Sequence, residues 1–345
     1  MTKRKTVAFK RREALVRNKI EKRSTQYYAD QDDADVVSDG DSELLLHKNL
    51  VSLGIAGGLR HLKSCDSTND YLKTFAQSIV LRESQQHNPF VKPPSFQINP
   101  LEWLNQMAAP RALPYVLITD EQTAGRGRQS NTWWTGQGAL AFSMLLDAKQ
   151  HGLKPHTMAH LSLGVGFATM QALRSITEET PAILNNETEN DVNATSAAAS
   201  NIEIRWPNDV YVNGRKIAGI LIEAPNLRHI IIGIGINTNN SATEAPEEIR
   251  DRIVTLSDVL GHEINQKILI YHLCREIMDM LSCFPSHLTE LIENAEANLH
   301  QVGKMVNITH ENERIIGKCL GLNPDGSLRV LTETGEKAVV SGVMI

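Results

Sequence analysis

The chain has no apolar run long enough to span a bilayer and no stretch like the hydrophobic core of a signal peptide, so a membrane role is not expected and a cytoplasmic one is. Cysteine is scarce. Cys65, Cys274, Cys283 and Cys319 show no C-x-x-C spacing, which suggests neither a zinc site nor a disulfide framework and fits a reducing compartment. Excess positive charge is missing too: the net charge of −5 leaves no nucleic-acid footprint over the chain as a whole. What is present is enough chain, 345 residues with 41% apolar content, to bury a full-sized core and a small second domain.

The densest local signal is Asp120-Glu121-Gln122-Thr123-Ala124-Gly125-Arg126-Gly127-Arg128, directly after an apolar strand. Glycines at 125 and 127 let the backbone close over a ligand, and two guanidinium forks match phosphate or carboxylate oxygens. The same residues also fit a flexible surface turn or an RNA-binding segment. Ser64-Cys65-Asp66-Ser67-Thr68-Asn69-Asp70 precedes Tyr71, Leu72, Phe75 and Ala76 at helical spacing. It reads as a helix N-terminus whose hydroxyls either cap the helix or face a ligand. Arg205-Trp206-Pro207-Asn208-Asp209 leads into Asn213-Gly214, a strong hairpin signal, and then into a strand from Arg215 to Glu223. Lys216, if it faces inward, needs an anion; at an edge it would point to water. His229-Ile230-Ile231-Ile232-Gly233-Ile234-Gly235-Ile236-Asn237 reads as a buried strand whose glycines allow close packing or close ligand approach.

In this order, Ser-Thr-Asn, Gln-x-x-Gly-Arg-Gly-Arg, Trp-Pro-Asn-Asp, Arg-Lys-x-Ala-Gly-Ile-Leu and Gly-Ile-Gly-Ile-Asn resemble the catalytic domain of biotin protein ligases, the holocarboxylase synthetase family. The resemblance runs from about Leu62 to the C-terminus. It implies a ligase that makes biotinyl-5'-AMP from biotin and Mg-ATP, then passes biotin to a lysine of a biotin carboxyl carrier protein or carboxylase subunit. Such chemistry brings two anions together and builds charge on the α-phosphoryl oxygens, so fixed cations are the main requirement.

By the same resemblance Arg126, Lys216 and Asp209 are the catalytic residues, with Arg126 on the phosphate side and Lys216 between the biotin carboxylate and the α-phosphate. Biotin is expected to meet Ser67, Thr68, Asn69, Gln122, Gly125, Arg126, Gly127, Arg128 and Lys216. ATP is expected to meet Arg126, Arg128, Trp133, Asn208, Lys216 and Asn237, with Trp133 stacked on adenine or, alternatively, anchoring the loop base. Asp209 is the candidate for Mg²⁺ and for accepting the proton of the acceptor lysine, whose reference pKa near about 10.4 keeps it charged at neutral pH. Relatives often continue the Gly-Arg loop with Gly or Arg, whereas Gln129-Ser130-Asn131 follows here.

The element pattern gives an α+β fold, a mixed sheet sandwiched with helices, and the resemblance implies that it is class II synthetase-like and ends in a small C-terminal SH3-like β-barrel. Strands are expected near 114–120, 139–146, 202–206, 209–212, 216–224 and 228–236, and helices near 68–80, 156–176, 265–283 and 286–299. Residues 1–47 read as a polar, disordered arm, 48–300 as the ligase domain with insertions near 82–113 and 178–201, and 301–345 as the β domain. Some bacterial relatives carry a DNA-binding winged helix at the N-terminus. This arm is too short and polar to bury one, which argues against DNA binding. Two alternatives stay open, a lipoate or octanoate ligase and a biotin-sensing transcriptional coregulator. Homodimerisation is open as well.

Overall fold

The computed structural model describes residues 39–87, 113–183, 202–310 and 313–344. Most of the expected arm and of both expected insertions lies outside these residues. A helix, α1, spans Asp39–Ser52 and so crosses the expected end of the arm at 47. The described residues from Leu46 onward form one compact unit, in which Leu46 and Leu50 of α1 are buried.

Seven strands make a mixed sheet: β1 Gly58–Cys65, β2 Tyr115–Gln122, β3 Leu140–Asp147, β4 Ile202–Arg205, β5 Asp209–Val212, β6 Arg215–Glu223 and β7 His229–Ile236. Their order is β1-β2-β3-β7-β6-β5-β4, parallel only between β1 and β2. Six of the seven match the sequence expectation. The exception, β1, carries Arg60, His61 and Lys63 and lies at the sheet edge, so it never shows the alternation of a half-buried strand.

Each face of the sheet has a distinct cover. Ile204, Val210, Ala218, Ile220 and Ile234 share one face by register. Helix α3, Met158–Ile183, packs there, with Gly166 next to Ile204 and Ile220. On the other face α2, Thr68–His87, lays Leu72, Phe75 and Ala76 over Tyr115, Leu117, Leu145 and Ile231. That i, i+3, i+4 stripe covers only one end of the face. Beyond it the same register brings up Ser143, Gly233, Gly235, Gly219 and Asp209, polar or without side chains. A cavity therefore opens where the apolar cover stops.

Two short helices follow β7, α4 Glu247–Arg250 and α5 Leu256–Leu260, then α6 Gln266–Ser282 and α7 Leu288–Ala297. Both α6 and α7 pack on α3. The short pair was not expected from sequence, although Thr255 caps α5 by accepting from the Asp258 N–H at 3.0 Å, a Thr-x-x-Asp signal. The chain ends in a five-stranded antiparallel sheet of β8 Met305–His310, β9 Glu313–Leu322, β10 Leu328–Thr332, β11 Gly335–Val339 and β12 Val343–Met344, ordered β11-β10-β9-β8-β12. This is the SH3-like element expected, with β12 in addition. Among the described residues no helix is long and apolar enough to cross a membrane.

The hairpin between β5 and β6 turns through Asn213 at φ 51° and Gly214 at φ 76°. Two successive left-handed residues match the twist of the flanking strands. Asn213→Ala should lower stability by about 1 kcal/mol, because alanine tolerates that conformation less well, and urea unfolding would measure it.

Candidate active site

Glycines make the cavity floor. Gly219 of β6 pairs directly with Gly235 of β7, and the indole of Trp133 lies on that pair. A Cβ at Gly235 would fall 2.2 Å from Trp133 Cε2, and one at Gly219 would fall 3.1 Å from Trp133 Cζ3. A Cβ at Gly233 would come within 2.2 Å of Asn69 Oδ1. The Gly-Ile-Gly repeat thus reserves space for side chains arriving from α2 and the Gly-Arg loop.

Lys216 reaches this floor through an irregularity. Strict alternation would put it on the face opposite Gly219, but Val210 pairs with Ala218 and Tyr211 with Lys216, leaving Ile217 as an extra residue in β6. The bulge turns Lys216 onto the cavity face, where its Nζ would lie 3.1 Å from a Cβ at Gly219 and sits 5.5 Å from the Trp133 ring. Segment 252–254 fixes the backbone there: Lys216 N–H donates to Arg252 O at 2.9 Å, and Val254 N–H donates to Lys216 O at 3.0 Å. Lys216 Nζ is 2.8 Å from Asp209 Oδ1. That oxygen is buried and lacks an aligned hydrogen bond, so the contact is an ion pair of charges rather than a directed bond.

The Gly-Arg loop closes as a small hairpin. Gly127 N–H donates to Asn131 O at 2.7 Å, Trp133 N–H donates to Gly125 O at 2.9 Å, and Arg126 bridges Thr132. Gln129, which follows the Gly-Arg-Gly-Arg run, takes φ 56°. The two arginines differ in environment. Arg126 donates Nε and Nη2 to Asp70, both at 2.8 Å, and Nη2 to Glu223 at 2.8 Å. Burial works against its charge, but the bonds and charges of Glu223 and Asp70 hold its pKa above the ordinary value. Arg128 has only a 3.4 Å contact from Nη1 to Asn208 Oδ1. Burial pulls its pKa down and Asp209 only partly offsets that, so Arg128 is an under-compensated cation, still protonated, that an anion would stabilise.

The polar end of the cavity is a closed network. Gln122 Oε1 accepts from the Thr68 N–H at 2.9 Å and from the Thr68 hydroxyl at 3.2 Å. Ser143 Oγ lies 2.7 Å from both Thr68 Oγ1 and Asn69 Oδ1. Asn69 Nδ2 donates to Leu221 O at 3.2 Å and to Glu223 Oε2 at 2.9 Å. Ser67 is buried and its hydroxyl faces the Asp70 N–H at 3.5 Å, the position of a cap. Asn208 Nδ2 donates to Ile220 O at 2.7 Å, and Asn237 Oδ1 accepts from Asn240 at 3.2 Å.

Of the residues expected from sequence, all but one line a single cavity of about 420 Å³. The exception is Gly125, which packs beneath it, where a Cβ would meet Trp133 O at 2.6 Å. Sequence reasoning missed Ile249, Arg252 and Ile253 from the segment after β7, and Val343 and Met344 of β12, which also line it. Asp70 and Glu223, the carboxylates that hold Arg126, were missed as well. Among the described residues no three His, Cys, Asp or Glu side chains gather as a metal cage. Asp209 is a single carboxylate, which suffices for Mg²⁺ only where phosphates and waters supply the remaining ligands. The arrangement suits a ligand with a neutral polar head at the Ser67–Gln122 end and anionic groups between Arg128 and Lys216.

Comparison with known proteins agrees with this geometry. The family model for the biotin/lipoate A/B protein ligase family matches residues 107–237. A bifunctional ligase/repressor BirA from Bacillus spizizenii is 27% identical over 239 residues, 66% of this chain and 64% of the relative, so the chain spans less than two thirds of that protein's length. A biotin--[acetyl-CoA-carboxylase] ligase from Mycobacterium tuberculosis is 25% identical over 227 residues, 65% of this chain and 75% of the relative. Among solved structures, the biotin protein ligase from Aquifex aeolicus in complex with biotin and ATP superposes with a TM-score of 0.59 at 28% identity, covering 83% of this chain and 97% of that one. Five motifs in order, the fold that brings them to one cavity, and these likenesses together make the chain similar to the biotin protein ligases.

Proposed function

We propose that the chain is an ATP-dependent ligase that activates biotin as biotinyl-5'-AMP and transfers it to a lysine of a biotin carboxyl carrier domain. The observation that carries this reading is the pair of cations, Arg128 and Lys216, brought to one glycine-floored cavity with Ser67, Thr68 and Gln122. In the first half-reaction the biotin carboxylate attacks the α-phosphorus and pyrophosphate leaves. Lys216 and Arg128 offset the charge on the phosphoryl oxygens as it builds. Arg126, expected on the phosphate side, also fastens the loop to Asp70 and Glu223 in this reading. Ser67, Thr68, Asn69 and Gln122 serve the urea head, which carries two donors and one acceptor, by exchanging bonds they make within the protein, such as those between Thr68 and Gln122 and from Asn69 to Glu223. Trp133, Asn208 and Asn237 form the adenine side, and the indole excludes water from the labile anhydride.

In the second half-reaction the acceptor lysine must lose a proton before it attacks the acyl carbon and releases AMP. Asp209 takes this role once phosphate draws Lys216 away from it. Magnesium would arrive on the triphosphate, with Asp209 the carboxylate beside Lys216 to meet it. Residues 48–300 form the ligase domain and 301–345 the β domain in this reading, and the reaction needs neither DNA nor a second copy of the chain. Action in the cytoplasm, where ATP is available, belongs to the same proposal.

Transfer is tested by incubating the chain with biotin, ATP and a purified biotin carboxyl carrier domain and measuring intact mass. The expected result is one added biotinyl group that requires ATP and the carrier's acceptor lysine. An unmodified carrier, with the ligase folded and biotin bound, would contradict the transfer step.

A further inference from the structure

We propose that Gln301 is a positioning residue for the nucleotide side of the cavity, acting through the Trp206-Pro207-Asn208 corner; the proposal rests on the adenylation reading above. The strand β4 ends the seven-stranded sheet, and residues 298–300 lie along its outer edge. Ile204 N–H donates to Asn298 O at 2.9 Å, and His300 N–H donates to Ile204 O at 2.8 Å, the pattern of a parallel bridge. Continuing that ladder would require backbone partners for Trp206. A side chain supplies them instead. Trp206 N–H donates to Gln301 Oε1 at 3.2 Å, and Gln301 Nε2 donates to Trp206 O at 3.0 Å.

Gln301 is 3% exposed and Trp206 2%, so water cannot take over these bonds if the amide is lost. A second tether comes from the turn between β9 and β10, where Gly326 O accepts from the Trp206 indole N–H at 3.1 Å. From the core side, Ser162 Oγ donates to Pro207 O at 3.1 Å. The corner held in this way ends at Asn208, whose carbonyl accepts from Ile220 N–H at 2.9 Å and whose side-chain oxygen faces Arg128 at 3.4 Å. Gln301 does not itself line the cavity, whereas Trp206, Pro207, Asn208 and Arg128 do. Its amide therefore fixes, at one remove, the wall that presents Asn208 and Arg128 to the nucleotide.

The polar head of biotin meets a different wall, made by α2, β2 and β3, with no bond to this corner in its network. The inference therefore predicts a split between the two substrates. Gln301→Met keeps the side-chain length and removes both hydrogen bonds. In biotin-dependent ATP–pyrophosphate exchange it should raise KM for ATP about tenfold. KM for biotin should stay within about twofold of the starting protein. In an Asn208→Ala background the effect of Gln301→Met on KM for ATP should largely vanish, since the two act along one path. A merely structural role would instead lower the melting temperature and leave both KM values alone, or raise them together; either pattern overturns the proposal. If Gln301→Met does not fold, Gln301→Glu carries the test, because it keeps an oxygen to accept from the Trp206 N–H, removes the amide donor to Trp206 O, and should give the same split at smaller size. Absence of exchange in the unsubstituted chain would defeat the adenylation reading itself, whereas exchange with unsplit KM values in the variants would defeat only the role of Gln301.

Discussion

Lys216→Ala and Arg128→Ala should each lower biotin-dependent ATP–pyrophosphate exchange by about 100-fold to 1000-fold, whereas Arg126→Ala should lose no more than about tenfold. The asymmetry comes from what each cation already holds. Arg126 gives three hydrogen bonds to Asp70 and Glu223, with its side chain 38% exposed, so its pairs are solvent-screened and fasten the loop modestly. Arg128 is half-buried beside one distant amide oxygen, and Lys216 faces a single carboxylate without an aligned bond. Arg128 can swing to an incoming phosphate without breaking a strong contact, and Lys216 can exchange its ion pair with Asp209 for the phosphate. Removing one such preorganised donor from a water-excluded site costs about 3 to 4 kcal/mol of transition-state stabilisation. If Arg126→Ala proved as damaging as Arg128→Ala in kcat, the guanidinium would have to leave its carboxylates during turnover, and the loop-fastening role would fall.

Gly233→Ala should destabilise the fold by roughly 1 to 3 kcal/mol and weaken biotin binding by at least about tenfold. The added methyl would lie 2.2 Å from Asn69 Oδ1 and 2.8 Å from Asn69 Cγ. Asn69 cannot retreat, because it is 4% exposed and tied to Leu221, Glu223 and Ser143. The clash therefore moves the start of α2, and with it Ser67 and Thr68. Gly166→Ala is the matched control. It sits inside helix α3, where a Cβ would meet only Ile204 at 3.6 Å and Ile220 at 3.8 Å, ordinary contact distances. That substitution should be neutral or stabilising by up to about 1 kcal/mol, since alanine is the better helix former. Urea unfolding and calorimetric titration with biotin would measure both variants. Equal stability of the two would mean that Gly233 is not needed for space.

Most of the sheet was legible because apolar runs bounded by Gly, Pro and Asn announce β2 to β7, and Asn213-Gly214 announces its own turn. The edge strand β1 was not, since its basic residues carry no period-2 signal. Ser67, Thr68, Gln122, Arg126, Lys216 and Asn208 could be named from local motifs, and they converge on one cavity. The side to which each cation turns could not be read. Lys216 faces the floor only because Ile217 bulges out of register, which depends on pairing with β5. Arg126 is claimed by Asp70 and Glu223, 56 and 97 residues away, and no local pattern marks such partners. Gln301 was invisible for the same reason: its amide completes a ladder begun 95 residues earlier. Local chemistry announces itself in sequence, while electrostatic pairing across the fold does not.

The most direct test of the adenylation reading is ATP–pyrophosphate exchange by the purified chain with biotin or with lipoate as the acid. The account predicts exchange with biotin, none with lipoate, and loss of the signal in Lys216→Ala. Exchange driven by lipoate, or none with biotin from a folded protein that binds it, would contradict the claim that this cavity makes biotinyl-5'-AMP.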